Sequence, residues 1–180
     1  MRVIAGRFRG RRLEAPKGEG VRPTSDKLRE TLFNILAPRI EDARVLDGFA
    51  GTGAVGVEAL SRGARHVTFV ERDRRAAALV AANLARCGVE QGYTIECGDV
   101  ASVLRRLPAD AAFDLVLLDP PYDADPDEVA GALVASADRL APGGLIVLER
   151  ATRRDPLLPS SLERARDVVS GDSTLTFLRR

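Results

Sequence analysis

The stretch Asp47-Gly48-Phe49-Ala50-Gly51-Thr52-Gly53-Ala54-Val55-Gly56 follows the apolar pair Val45-Leu46 and leads into Val57, Ala59 and Leu60. Gly51, Gly53 and Gly56 form a G-x-G-x-x-G at a strand-to-helix turn, where missing β-carbons let the backbone approach a ligand. Glu71 ends the next apolar run, 20 residues after Gly51, at the spacing of an acid that reaches ribose hydroxyls. The stretch predicts an open α/β sheet that holds an adenosine-containing ligand at its strand ends.

Outward from this turn, short apolar strands alternate with Ala-rich helical runs. Strands are expected at 66–70, 93–97, 113–118 and 144–149, with a closing pair at 168–169 and 174–178. Helices are expected through Leu60 and over 74–86, 100–106 and 126–140. This alternation predicts a parallel sheet with helices on both faces. Ahead of it, residues 1–22 read as a small strand pair turning near Gly10. Arg22-Pro23-Thr24-Ser25-Asp26 reads as a turn and N-cap, and Leu28, Leu32, Ile35 and Leu36 as a helix ending before Pro38. The expected division is a basic extension over 1–40 and a catalytic domain over 41–180.

The ligand is narrowed by Asp47, whose carboxylate ends the first strand where a pyrophosphate would be repelled. A cationic amino-acid head suits it better. S-adenosylmethionine has that head, a sulfonium and no phosphate. Asp99, in Cys97-Gly98-Asp99-Val100, closes the third strand and offers an acceptor for the adenine amino group. Singly, each acid fits a helix cap and each glycine a tight turn; together they favour a ligand rim. An NAD-binding oxidoreductase stays open as an alternative of a different class.

The strand Phe113-Asp114-Leu115-Val116-Leu117-Leu118 runs into Asp119-Pro120-Pro121-Tyr122. Pro120 and Pro121 fix the backbone and remove two donors. Asp119 and the Pro120 carbonyl can accept the two N–H bonds of a planar amine while Tyr122 stacks on its ring. Such a clamp directs the nitrogen lone pair at an activated methyl group, so catalysis is largely positioning, and no covalent nucleophile is required.

Composition agrees with a folded soluble domain: 180 residues, 45% hydrophobic and 29% charged. No apolar stretch approaches the roughly 20 residues of a membrane span, and MRVIAGRFRGRR lacks the apolar run of a secretory signal, so cytoplasm is the expected compartment. The formal charge of +1 conceals an asymmetry. Residues 1–40 hold 10 Lys and Arg against 4 Asp and Glu, and the other 140 residues hold 17 against 22. Arg7, Arg9, Arg11, Arg12, Lys17 and Arg22, interleaved with Phe8, are expected to meet RNA phosphates and stack on a base. Cys87 and Cys97 are expected to be small core residues, and no residue cluster has metal-ligand spacing, so no metal is expected.

Asp47 to Gly53 resembles the first motif of class I S-adenosylmethionine-dependent methyltransferases, and Asp119 to Tyr122 resembles the amino-methyltransferase tetrad. Across nearly the whole chain the sequence resembles the bacterial 16S rRNA guanine-N2 methyltransferase family of RsmD type. The shared blocks are Arg2-Val3-Ile4-Ala5-Gly6, Arg9-Gly10-Arg11, Arg22-Pro23-Thr24, Arg29-Glu30-Thr31-Leu32-Phe33-Asn34, GVEALSRG over 56–63 and Val70-Glu71-Arg72-Asp73. It departs at Gly48, where the family more often carries a larger apolar residue, with little expected effect on the cofactor. The resemblance implies a seven-stranded, mainly parallel methyltransferase sheet. It implies cofactor contacts from Asp47, Phe49, Ala50, Gly51, Gly53, Glu71, Arg72, Asp99 and Val100, catalysis by Asp119, Pro120, Pro121 and Tyr122, and RNA contacts that include Arg22 and Thr24. It also implies methylation of a guanine N2 in 16S rRNA, on an assembling 30S subunit, by a monomer. A DNA adenine-N6 methyltransferase and a catalytically silent RNA-binding assembly factor remain alternatives.

Overall fold

The computed structural model describes residues 1–15 and 26–180. Seven strands form one sheet: β1 (Arg44–Gly48), β2 (His66–Glu71), β3 (Tyr93–Cys97), β4 (Phe113–Leu118), β5 (Leu140–Ala151), β6 (Glu163–Ser170) and β7 (Ser173–Arg179). Their order is β3-β2-β1-β4-β5-β7-β6. The first five are mutually parallel, and β7 runs antiparallel between β5 and β6. Five helices, α1 (Asp26–Ile40), α2 (Ala54–Ser61), α3 (Arg74–Arg86), α4 (Val100–Arg106) and α5 (Pro126–Asp138), cover the two faces. The α/β expectation is met, and the reversal of strand order between β1 and β4 sets a crevice at their carboxyl ends.

Alternating residues of the central strands feed two cores. Val45, Leu115, Leu117 and Val147 pack with α1, α2 and α3, whereas Leu46, Val116, Leu118 and Ile146 pack with α4 and α5. The N-terminal segment belongs to the first core through the buried Val3 and Leu13. It is fixed to α2 by polar contacts as well. The buried carboxylate of Glu58 accepts from the Ile4 and Ala5 N–H groups at 2.8 and 3.0 Å, and Ser61 Oγ accepts from Phe8 N–H at 2.9 Å.

Several elements differ from the sequence reading. The N-terminal strand pair reduces to a single bridge between Arg2 and Arg12, because Gly6 and Gly10 both turn the chain through positive φ within so short a loop. The turn and N-cap read from residues 22–25 lie outside the described residues. α1 continues past Pro38 to Ile40; a proline in the last turn forfeits only one hydrogen bond, and Ile40 is thereby buried. α5 stops at Asp138, and Leu140 already belongs to β5, which reaches β4 through a register shift between Phe113 and Leu115. β3 is an edge strand of the sheet, so Cys97 is exposed and not the core residue expected, while Cys87 is buried as expected.

Candidate active site

The carboxyl ends of β1, β2 and β4, the loop after β3, and the start of β7 surround one cavity of about 520 Å³, within the usual range for small-ligand sites. Its floor is the glycine turn. Gly53 caps α2 at a φ of 75°, a left-handed conformation that suits glycine. Gly56 is required by packing: a β-carbon there would lie 2.2 Å from Phe69 Cε1 and 2.8 Å from Asp47 Oδ2. Phe49 itself adopts a left-handed φ of 62°, a strained value for an aromatic residue, and lines the cavity beside the buried Ala50. At Gly48 a β-carbon would meet Leu118 Cδ2 at 2.6 Å, so Leu118 occupies the volume that a larger residue would take.

Asp47 sits on β1 facing α2 and is 2% exposed, yet lines the cavity. Its Oδ2 accepts from Gly56 N–H at 2.8 Å. Burial pushes its carboxyl well above the usual carboxylate range, partly opposed by that Gly56 bond and reinforced by the charges of Asp119 and Glu71. Glu71 is half-buried and accepts from Gly51 N–H at 2.8 Å and Asp73 N–H at 2.9 Å, one on each oxygen. Arg72 also lines the cavity and pairs there with Glu128 of α5 at 3.1 Å. Asp99 caps α4 through Ser102 N–H at 2.8 Å, a bond that holds its carboxyl below the usual range, and Val100 is buried behind it.

On the other side of the crevice, the Asp119 N–H donates to the Gly48 carbonyl at 3.3 Å, joining the ends of β4 and β1. Asp119 is half-buried, Pro120 is buried, and Pro121 and Tyr122 are exposed at the mouth. The Tyr122 hydroxyl is 2.6 Å from Ser173 Oγ, and Arg154 Nη1 donates to the Tyr122 carbonyl at 2.6 Å, so both ends of this residue are tied. All four tetrad residues and the acids Asp47, Glu71 and Asp99 therefore share one cavity. Polar side chains in its wall that the sequence reading missed include Glu128, Glu149 and Ser173. Glu149 carried the same signal as Asp47 and Glu71, a carboxylate closing an apolar strand. Ser173 carried none.

The arginines of the N-terminal loop are exposed, but they differ in commitment. Arg7 Nη2 donates to the Leu60 carbonyl at 3.2 Å and Arg11 Nη1 to the Arg86 carbonyl at 3.4 Å, each at the carboxyl end of a helix. Both guanidinium groups also lie over the Phe8 ring, at 5.3 and 5.7 Å, so Phe8 stacks on its own neighbours. Arg9 and Arg12 have no side-chain partner among the described residues. Lys17, Arg22 and Thr24 lie outside the described residues. Met1 lines the cavity, so the base of this loop adjoins the site. No cluster of metal-ligating side chains occurs among the described residues.

A sheet in this order, with an antiparallel seventh strand and an acid-rimmed cavity at the switch point, is a class I methyltransferase fold. The chain belongs to the family described as Conserved hypothetical protein 95, whose model matches residues 1–179. It is 38% identical over 173 residues to the Ribosomal RNA small subunit methyltransferase D of Haemophilus influenzae, covering 95% of this chain and 89% of that protein. The protein of the same name from Escherichia coli K12 is 35% identical over 181 residues, covering 100% and 90%. Among solved structures, "Putative methyltransferase yhhF" from Escherichia coli superimposes with a TM-score of 0.86 at 33% identity, covering 100% of this chain and 97% of that one.

Proposed function

We propose that the protein transfers a methyl group from S-adenosylmethionine to the exocyclic N2 of one guanine in small-subunit ribosomal RNA, acting as a monomer on the assembling 30S particle. The observation that carries this reading is the union of two half-sites in one cavity: the glycine turn with its rim acids, and the Asp119-Pro120-Pro121-Tyr122 turn. The relatives' names supply the substrate class. The residues present suit the cofactor, since a buried Asp47 carboxyl that resists ionisation gains its natural counter-charge from a cationic amino-acid head. Glu71 faces the ribose hydroxyls and Asp99 the adenine amino group, while Gly51 and Gly53 keep the turn close. Bound S-adenosylmethionine supplies a methyl group already activated by its sulfonium.

The remaining work is done by this chain. Asp119 and the Pro120 carbonyl accept the two hydrogens of the amine and so orient its lone pair. The carboxylate also favours the positive charge that develops on nitrogen. Tyr122, fixed through Ser173, stacks on the base plane. The exposed arginines hold the surrounding RNA while the base enters the cavity.

Incubation with methyl-labelled cofactor and either hypomethylated 30S subunits, free 16S rRNA or duplex DNA tests this directly. Label is expected in 30S rRNA, recovered as N2-methylguanosine after nuclease digestion. Asp119→Ala is expected to lower kcat by about 10²-fold or more. Label confined to DNA, or an Asp119→Ala variant at the wild-type rate, overturns the proposal.

A further inference from the structure

Glu149 ends the apolar part of β5, is 7% exposed and lines the cavity. Leu118 and Leu148 are the last residues paired between β4 and β5, and Asp119 and Glu149 directly follow them. Neighbouring strands lie about 5 Å apart, and both side chains line the same cavity. A large, buried carboxylate thus stands beside the tetrad, on the side away from Asp47 and the glycine turn. The cofactor half of the site, as read above, has no use for it.

A guanine offers the group that fits. Its N2 amine adjoins the N1–H donor on the same edge, whereas adenine N6 and cytosine N4 each adjoin a ring nitrogen that bears a lone pair. A carboxylate can only accept when ionised. We infer that Glu149 is a specificity residue that accepts the N1–H of the target guanine while Asp119 holds its N2 amine. The pair of carboxylates then reads two neighbouring donors, and a base presenting a lone pair at the second position is repelled. This inference rests on the methyltransferase reading proposed above and names the feature by which that site selects its base.

The test uses 30S particles assembled with 16S rRNA that carries either guanine or 2-aminopurine at the modified position. The analogue keeps the N2 amine but replaces the N1–H with a lone pair. Wild-type enzyme is expected to favour guanine in kcat/KM by about 10- to 100-fold. Glu149→Gln, whose amide can present either an acceptor or a donor, is expected to bring the ratio close to unity with cofactor affinity unchanged. Glu149→Asp, which keeps the charge one methylene short, serves if the glutamine variant does not fold, and is expected to lower the guanine rate while retaining preference. A wild-type enzyme without preference, or a glutamine variant with the wild-type ratio, overturns the inference alone. A wild-type enzyme that methylates no guanine substrate overturns the methyltransferase reading instead.

Discussion

Asp47 meets opposing demands of folding and binding. Its carboxyl is buried at the end of β1, and burial raises its pKa in the folded protein above the unfolded value of about 3.9. The folded state therefore holds this proton to higher pH than the unfolded chain does. The stabilising contribution is complete below the unfolded pKa and is lost as pH rises through the folded one. Asp47→Asn retains an acceptor for Gly56 N–H and removes that loss. Its Tm is expected to exceed wild type at pH 8, with the difference shrinking toward pH 5, as thermal melts across pH will read. The same variant discards the counter-charge for a cationic ligand, so S-adenosylmethionine affinity by calorimetry should fall about tenfold or more. Tyr122→Phe is a milder change: the ring stays and the Ser173 bond goes. Methyl transfer should drop about 2- to 10-fold with cofactor affinity intact. Asp47, Glu71 and Asp119 were legible in the sequence because each closes an apolar strand. The Ser173 partner of Tyr122 was not, since only the antiparallel return of β7 brings residues 122 and 173 together.

At the scale of elements, α2 joins the glycine turn to the N-terminal loop. Its residues from Ala54 to Ser61 are all buried, so its single acid, Glu58, cannot face water. It lies 2.7 Å from Arg62 Nε and 3.9 Å from Arg29 Nε, while its oxygens receive the Ile4 and Ala5 N–H groups. Glu58→Gln turns one of those oxygens into a donor facing donors and takes from the buried Arg29 the carboxylate on its Nε side, leaving it the Asp26 carboxylate at 3.0 Å. The expected cost is about 3–5 kcal/mol, read as a lower urea midpoint, together with faster amide exchange at Ile4 and Ala5. The helices and strands of the body were legible because their apolar runs have clear periods. β6 was only partly so. Its Glu163-Arg164-Ala165-Arg166-Asp167 stretch is an exposed edge strand, and a strand wet on both faces has no apolar alternation to show. The Glu58 clamp was equally hidden, because an acid in an otherwise apolar helix reads the same whether it meets water or a buried partner.

For the molecule as a whole, the formal charge of +1 divides into a basic segment of 40 residues and an acidic remainder. Among the described residues, the start of the basic segment adjoins the acid-rimmed cavity, with Met1 reaching its wall. Should RNA meet this segment as proposed, two ligands of opposite sign approach neighbouring surfaces, and ionic strength should separate them. Binding of RNA releases condensed counterions, so its association constant falls steeply with salt, whereas one cationic cofactor in a sheltered cavity releases few. Arg9 and Arg12, whose side chains have no partner among the described residues, are free to meet phosphates without disturbing the loop. Each of Arg9→Ala and Arg12→Ala should flatten the plot of log K against log salt for 30S binding by about 0.7–0.9, with Tm unchanged. Arg7 and Arg11 also brace the loop through Phe8 and the helix ends, so their alanine variants should lower Tm as well as the slope. A salt slope untouched by all four substitutions would move the RNA surface away from this loop, and the arginines would then serve the fold alone.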